Sequence, residues 1–194
     1  EEQVGSCTFR IYPDTFFQPN SRAAGVLYGR LGGLLSHPRE KRLVGLYCGS
    51  GAIEVSLAGV FSEVAGVDIV PANIAASREN AMLNRRTNCT FVEGDAEEFL
   101  KGYRPGNDIL LVDPPRAGMS PRVLARIKDL APSRMVYVSC NPATLARDLR
   151  VLRAAGLVVS SIESFDFFPH TAHIETLVSL SRKNQPGGRD DGGD

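Results

Sequence analysis

Short apolar runs alternate with helical stretches from about residue 40 onward, and this alternation constrains the fold more than any other feature. Five runs are nearly continuous in apolar character, at residues 42–47, 64–68, 89–93, 108–113 and 135–139. Strands that are buried on both faces of a parallel sheet have this character. Stretches with helical spacing lie between them, at about residues 71–84, 121–130 and 142–152. The pattern predicts right-handed βαβ crossovers and a doubly wound α/β sheet.

The two ends of the chain depart from this alternation. Residues 157–165 and 174–181 are both strand-like, and no helix lies between them, so they are predicted to pair as an antiparallel hairpin. The result is a Rossmann-like sheet of seven strands, mostly parallel. We expect one domain over residues 1–182, in which residues 1–40 form an extension with a strand at Thr8 to Tyr12 and a helix over about 21–35. Residues 183–194 have no apolar side chain and are predicted to be a disordered tail.

The charge balance and the cysteines exclude several classes of protein. The 22 Lys and Arg residues balance 22 Asp and Glu residues, so no broad basic surface is implied, although a local basic strip stays open. No apolar run approaches the ~20 residues of a membrane span. The four cysteines are widely spaced and form no CxxC pair. We therefore expect no metal, no disulfide scaffold, no membrane and a reducing compartment, which is the cytoplasm, or the nucleus or mitochondrion of a eukaryote.

A glycine-containing loop at residues 47–52 follows the first of these strands and leads directly into a helix. Gly49 and Gly51 permit a sharp turn and a close approach to a ligand beside the positive end of that helix. Asp68 ends the next strand and Asp95 follows the third, at the sheet edge where ligands bind. Each acid either hydrogen-bonds ribose hydroxyls or caps a helix. Together they favour an adenosine-containing ligand without a pyrophosphate, and S-adenosylmethionine fits best.

Cys140 is the cysteine whose position favours a chemical role. It follows the fifth strand and precedes a helix that begins near Pro142. The helix dipole and the free N–H groups at that place are expected to lower the pKa of the thiol and favour the thiolate. The alternative is a small buried apolar residue, which is the usual fate of a free cysteine and fits Cys7, Cys48 and Cys89.

Two further loops carry candidate side chains. Arg116 follows Asp113 and two prolines, and its planar guanidinium suits a phosphate or a carbonyl group, although a plain proline loop explains the segment equally well. His170 and His173 lie in the loop before the last strand and are interpreted as loop-ordering or RNA-contacting residues. Glu175 is the odd charged residue beside an otherwise apolar strand, which is consistent with a general base.

Five motifs, taken in chain order, resemble the RNA 5-methyluridine methyltransferase family. They are FFQPN (16–20), YCGSG (47–51), DPPRAG (113–118), SCNPATLARD (139–148) and FPHTAHIE (168–175). The resemblance covers roughly residues 7 to 182, and the last two motifs are highly specific. It implies an enzyme that transfers a methyl group from S-adenosylmethionine to C5 of a uridine in transfer or ribosomal RNA.

The resemblance also assigns roles to individual residues. Cys140 would be the nucleophile that adds to C6 of the uracil, and Glu175 the base that removes the C5 proton. The residues that it places in the cofactor and base pocket are Gln18, Tyr47, Asp68, Asp95 and Asp113, with Asp113 facing either the cofactor or the uracil. The substrate is predicted to contact Arg116, which could stabilise the enolate oxygen, together with Phe17 and His170.

Other functions fit the sequence less well. RNA 5-methylcytosine methyltransferases commonly have a second cysteine after the proline of the fourth-strand motif, where this chain has Pro115 and Arg116. An N6-adenine enzyme would have an aromatic residue after the two prolines. A non-catalytic RNA-binding or folding module that keeps the fold is the alternative from another class. We also expect an N-terminal RNA-binding domain to be missing from this chain, which should therefore bind RNA weakly.

Overall fold

The computed structural model describes residues 1–35, 42–171 and 174–182, in which a seven-stranded sheet is packed with helices on both faces. A small hairpin comes first, consisting of β1 (Glu2–Val4) and β2 (Cys7–Phe9). The remaining elements are, in chain order, α1 (Ser21–Leu34), β3 (Arg42–Leu46), α2 (Ala52–Leu57), β4 (Glu63–Asp68), α3 (Pro71–Leu83), β5 (Cys89–Glu93), α4 (Ala96–Gly102), β6 (Asp108–Val112), α5 (Pro121–Leu130), β7 (Arg134–Ser139), α6 (Pro142–Ala154), β8 (Leu157–Phe165) and β9 (Glu175–Arg182).

The strand order of the large sheet is β5-β4-β3-β6-β7-β9-β8. The first five of these strands are parallel, whereas β9 is antiparallel to both β7 and β8. The predicted fold class is therefore confirmed, including the final antiparallel hairpin. In the β7–β9 ladder Ser139 pairs with Thr176, so the start of β9 meets the end of β7 at one edge of the sheet.

Two apolar cores lie on opposite faces of the sheet, because successive side chains of a strand point to opposite sides. In β6, Ile109 packs in one core and Leu110 in the other. The first core joins the sheet to α1, α2 and α3, and the second joins it to α4, α5 and α6. This double cover explains why the parallel strands have nearly continuous apolar sequences.

The N-terminal strand differs from the prediction of Thr8 to Tyr12. The chain instead forms a hairpin that turns at Gly5, whose φ is 60°, and the second strand ends at Phe9. Amide side chains of α3 and of its C-cap residue explain why β2 ends at Phe9. The backbone N–H of Thr8 donates to Asn84 Oδ1 at 2.9 Å, and that of Arg10 donates to Asn80 Oδ1 at 2.8 Å. Amide side chains thus satisfy backbone groups that a longer strand would pair.

Two predictions concern residues that the structure does not describe. The predicted tail at residues 183–194 and the candidate His173 lie outside the described residues. No helix among the described residues is long and apolar enough to cross a membrane.

Candidate active site

A cavity of about 400 Å³ opens at the carboxyl ends of the parallel strands. It lies where the strand order reverses between β3 and its two neighbours, β4 and β6, which is the usual ligand position in open α/β sheets. Residues from loops and strand ends far apart in the sequence line it: Phe16, Gln18, Tyr47, Gly49, Asp68, Ile69, Val70, Asn73, Asp113, Pro114, Pro115, Arg116, Cys140 and Glu175.

The loop after β3 brings backbone groups to the edge of this cavity. Tyr47, Gly49 and Gly51 all have positive φ angles, of 62°, 53° and 76°. This conformation is easy for glycine but strained for tyrosine, and such strain in a non-glycine residue is concentrated at functional sites. The Gly49 N–H donates to Asp68 Oδ2 at 2.9 Å, which fastens the loop to the end of β4.

Asp68 is held by three donors. In addition to the Gly49 N–H, the Val70 N–H and Asn73 Nδ2 donate to Asp68 Oδ1 at 2.9 and 3.0 Å. Val70, rather than Asp68, is the N-cap residue of α3. A carboxylate can accept about four hydrogen bonds, so a fixed acceptor remains for a ligand hydroxyl in the cavity.

Cys140, Glu175 and Asp113 all line the cavity, and the charges of the two carboxylates act on the thiol. Glu175 is 3% exposed, and its Oε2 has no hydrogen-bond partner among the described residues. Burial raises the pKa of Glu175 to about 7, and the charge of Arg116 opposes the rise. Burial and the charges of Glu175 and Glu54 raise the pKa of Asp113 well above its usual range. The Glu175 carboxyl group is therefore suited to exchange a proton near neutral pH.

The prediction that the pKa of Cys140 is lowered is wrong. Cys140 is half-buried, and burial together with the charges of Glu175 and Asp113 raises the pKa of its thiol. Arg116 acts in the opposite direction but is outweighed. The sequence revealed the helix start after Cys140, whereas the two carboxylates that oppose the thiolate come from other strands.

The loop that carries Arg116 is fastened to the start of α6. Asn141 Nδ2 and Thr144 Oγ1 both donate to the Arg116 carbonyl oxygen, at 3.0 and 3.2 Å. An Arg147 guanidinium nitrogen donates to the carbonyl oxygens of Ala117 and Met119, at 2.9 and 3.1 Å. The helix that follows Cys140 thus fixes the position of the Arg116 backbone.

Asp148 adds buried hydrogen bonds to this attachment. It is fully buried, and its Oδ2 accepts hydrogen bonds from the Met119 N–H at 2.9 Å and the Tyr137 hydroxyl at 2.7 Å. Its Oδ1 accepts from Arg147 Nε at 2.8 Å. The carboxylate therefore joins α6, β7 and the loop after β6 into one rigid unit.

The chain as a whole is similar to members of one enzyme family. The family model for tRNA (uracil-5-)-methyltransferase matches residues 3–183. The chain belongs to this family. The resemblance that the five motifs indicated is thereby confirmed.

The relatives of this chain are much longer than the region that it matches. Uncharacterized RNA methyltransferases from Clostridium tetani and Bacillus cereus are 38% and 41% identical, over 94% and 92% of this chain but only 40% of their own lengths. The crystal structure of Pyrococcus abyssi tRNA (uracil-54, C5)-methyltransferase in complex with S-adenosyl-L-homocysteine is 33% identical with a TM-score of 0.81. It is matched over 92% of this chain and 43% of its own. The chain thus spans about two-fifths of the length of these relatives.

Most of the residues that the sequence assigned to the methyltransferase site lie together, but Gly51 and Asp95 do not. Neither is among the described residues that line the cavity. A Cβ at Gly51 would lie 2.8 Å from Ser77 Cβ and 2.9 Å from the Phe91 ring, so this glycine permits close packing beneath the loop. Asp95 is the N-cap of α4 and accepts from Glu97 N–H at 2.8 Å. The contacts of Asp95 are therefore those of a residue that caps a helix, which is the alternative to a ribose contact.

Two predicted substrate residues also lie apart from the large cavity. The Phe17 ring packs against Phe9, with their centroids 5.6 Å apart, and faces a smaller neighbouring cavity. His170 is exposed and has a φ of 69°. It is likewise absent from the described lining of the large cavity.

Several residues at or near the cavity are not predicted from the sequence. Phe16 and Ile69 are 57% and 63% exposed at the cavity, although large apolar side chains are usually buried. Asn141, Thr144 and Arg147 have no predicted role. Their spacing of three at the start of α6 places them on one helix face, and this signal indicates a common contact, which is the loop at residues 116–119. Among the described residues, no group of three His, Cys, Asp or Glu side chains could hold a metal ion.

Proposed function

We propose that this chain is the catalytic domain of an RNA methyltransferase that modifies C5 of uridine through a covalent bond between Cys140 and C6. The observation that carries the proposal is that Cys140 and the buried carboxyl group of Glu175 line the same ligand-sized cavity, where the charge of Glu175 acts on the thiol. A nucleophile and a base in one cavity match a reaction in which a thiol is added and a proton is removed.

Cys140 activates the uracil in this proposal. C5 of uracil is a poor nucleophile. The Cys140 thiol loses its proton to the solvent, and addition of the thiolate to C6 moves the electrons of the C5–C6 double bond to form an enolate. Arg116 lines the same cavity, and its charge lowers the pKa of Cys140. It therefore favours the thiolate before addition and is suited to stabilise the enolate oxygen afterwards.

Glu175 completes the reaction. After C5 has been methylated, the Glu175 carboxylate takes the C5 proton, the C5–C6 double bond re-forms, and the bond between C6 and the Cys140 sulfur breaks. A base works best when its pKa is near the operating pH, and a pKa of about 7 meets this condition.

The cavity fits S-adenosylmethionine, which supplies an electrophilic methyl group when bound. Its volume of about 400 Å³ lies in the range of small-ligand sites. We assign the ribose hydroxyls to Asp68, whose carboxylate is fixed in the cavity, and the adenine ring to the exposed side chain of Ile69. Gln18, Tyr47 and Gly49 line the same space and are assigned to the rest of the cofactor. The Pyrococcus abyssi relative was solved in complex with S-adenosyl-L-homocysteine, which supports S-adenosylmethionine as the cofactor of this chain.

The RNA partner requires a further contribution. A uridine must leave its base stack to reach a cysteine in a cavity at the sheet edge. The net charge of the chain is zero, and phosphate contacts supply most non-specific RNA affinity, so we infer that another domain binds the RNA. We propose transfer RNA or ribosomal RNA as that partner. The wide spacing of the four cysteines in the sequence is the basis of our inference of a reducing compartment.

The test uses transfer RNA that contains 5-fluorouridine, together with S-adenosylmethionine. Fluorine cannot leave C5 as a proton does, so a covalent protein–RNA adduct is expected to accumulate, and mass spectrometry should detect it. Cys140→Ala should abolish the adduct, whereas Cys89→Ala serves as the matched control. An adduct that persists in Cys140→Ala would contradict the proposal. Equal methylation of cytidine would favour the 5-methylcytosine alternative.

A further inference from the structure

A second cavity, of about 20 Å³, adjoins the candidate cofactor site. It shares Phe16, Gln18, Tyr47 and Asp113 with the large cavity. The other residues that line it come from α1, α2 and the loops next to them: Phe17, Tyr28, Cys48, Ser50, Ala52, Ile53 and Glu54. A space of this size accommodates one water molecule or a group of similar size.

Glu54 is the unusual residue of this smaller cavity. It lies in α2, is 1% exposed, and neither of its carboxylate oxygens has a hydrogen-bond partner in the described part of the chain. An unpaired buried carboxyl group is costly, and native proteins rarely keep one without a reason. The opposite strand makes room for it, because a Cβ at Gly45 would overlap the Glu54 carboxylate.

The surroundings of Glu54 are acidic or neutral. Burial raises the pKa of Glu54 to about 8, the backbone N–H of Glu54 opposes the rise, the charge of Asp68 adds to it, and no described cation contributes. Other titratable groups whose pKa its charge raises come from several elements: Tyr28 in α1, Cys48 after β3, Cys89 in β5 and Asp113 after β6. Glu175 in turn acts on Asp113. The cavity therefore has carboxyl groups without a positive partner.

We propose that Glu54 and Asp113 form a subsite for a small cation, and that its occupant is the ammonium group of the cofactor's amino acid end. This inference rests on the proposed function. S-adenosylmethionine also carries a sulfonium, but a sulfur with three carbon substituents is too large for a space of about 20 Å³. An ammonium group is close to water in size and supplies three donors for the unpaired oxygens.

Ammonium binding is coupled to proton release. Glu54 is mostly protonated at pH 7 in the empty site, because its pKa is about 8. A cation beside it favours the carboxylate, so the proton passes to the solvent as the ammonium group binds, and the charge of the cavity is conserved. Binding should therefore become tighter as the pH rises from 6 towards 8.

The experiment is isothermal titration calorimetry of the protein in buffers with different ionisation enthalpies. The probes are S-adenosylhomocysteine and its analogue in which hydrogen replaces the amino group. For the wild type we expect proton release with S-adenosylhomocysteine and none with the desamino analogue. In Glu54→Gln the release should disappear, and the affinity for S-adenosylhomocysteine should fall about 10- to 100-fold. The affinity for the desamino analogue should stay the same.

The controls separate this inference from the proposed function. Glu93→Gln removes an exposed acid at the end of β5 and should behave as the wild type does. Equal proton release and equal affinity in Glu54→Gln and the wild type would overturn the ammonium subsite while leaving the cofactor assignment intact. A wild type that binds no S-adenosylhomocysteine would overturn the cofactor assignment itself. If Glu54→Gln does not fold, the wild type alone provides the test. Equal affinities of the wild type for S-adenosylhomocysteine and the desamino analogue at every pH from 6 to 8 would contradict the ammonium subsite.

Discussion

Burial controls the protonation of the acidic side chains at the candidate site. It raises the pKa of Glu175 to about 7 and that of Glu54 to about 8, although carboxyl groups in water titrate near pH 4. The same dry environment raises the pKa of the Cys140 thiol. The two carboxyl groups are therefore close to a change of charge near neutral pH, and the binding of a cation or a substrate can shift that balance.

Replacing Glu175 should separate the two halves of the proposed reaction. Glu175→Gln leaves Cys140 free to add to C6 but removes the acceptor of the C5 proton. We expect kcat to fall about 10²- to 10⁴-fold and a covalent adduct to accumulate with ordinary uridine RNA, visible on a denaturing gel. Glu93→Gln is the matched control. Rapid turnover by Glu175→Gln would contradict its role as the base.

The pH profile follows from the same carboxyl group. Glu175 accepts a proton only when ionised, so the activity should rise with pH through an inflection near 7, and ionisation of the Cys140 thiol, whose pKa is raised, should add a further rise at higher pH. In Glu175→Asp the inflection should move with the pKa of the new carboxyl group. Methyl transfer measured from pH 5.5 to 8.5 provides the test, and a flat profile would contradict the assignment.

At the scale of elements, two contacts bring the site residues into place. The start of α6 holds the backbone of the Arg116 loop, and Asp148 links both to β7. On the other side of the cavity, β3 and α2 approach closely at Gly45, where the Glu54 carboxylate occupies the space of a side chain. The first contact joins elements that are distant in sequence, whereas the second joins the consecutive elements β3 and α2.

Asp148→Ala should destabilise the protein. The substitution leaves the Met119 N–H, the Tyr137 hydroxyl and Arg147 without their buried acceptor. We expect the free energy of unfolding to fall by about 3 kcal/mol, as measured by denaturant titration. Asp129→Ala, at an exposed position of α5, should change it by less than about 0.5 kcal/mol. Similar values for the two variants would show that the link carries little stability.

The contact between Gly45 and Glu54 can be tested by a double-mutant cycle. Gly45→Ala alone should destabilise the protein by about 1–3 kcal/mol, because the added methyl group overlaps the carboxylate. In the Glu54→Ala background the same change should cost much less, since the overlap is gone. Thermal unfolding of the four proteins gives the coupling energy. Additive effects would mean that the two positions do not compete for space.

At the scale of the whole molecule, the chain contains the proposed catalytic residues but has no excess of positive charge. Its 22 basic side chains are balanced by 22 acidic ones, and its family relatives in Clostridium tetani and Bacillus cereus are matched over only 40% of their lengths. We infer from the charge balance that the chain by itself has little affinity for RNA.

The chain of 194 residues should therefore bind S-adenosylmethionine yet methylate transfer RNA poorly. We expect calorimetry to detect cofactor binding, and RNA binding to weaken further as salt is added, because it depends on few phosphate contacts. Robust turnover on transfer RNA by this chain would contradict the expectation. A longer relative, assayed with the same RNA, is the comparison.

The sequence by itself determined the order of strands and helices, because buried parallel strands leave continuous apolar runs such as residues 108–113. It also indicated Cys140 and Glu175, since polar residues beside buried strands are conspicuous. These are local properties of the chain, and short-range patterns record them.

Only the tertiary structure decided what lies beside each of these groups. The raised pKa of Cys140 and the fixing of the Arg116 loop by α6 depend on residues that are far apart in the sequence. The unpaired Glu54 carboxylate at Gly45 depends on how α2 packs against β3, although the two elements follow each other in the chain. Likewise, Asp95 follows a strand as Asp68 ends one, but only Asp68 lines the cavity. Desolvation and charge act through distances in space, and the spacing of residues along the chain does not contain those distances.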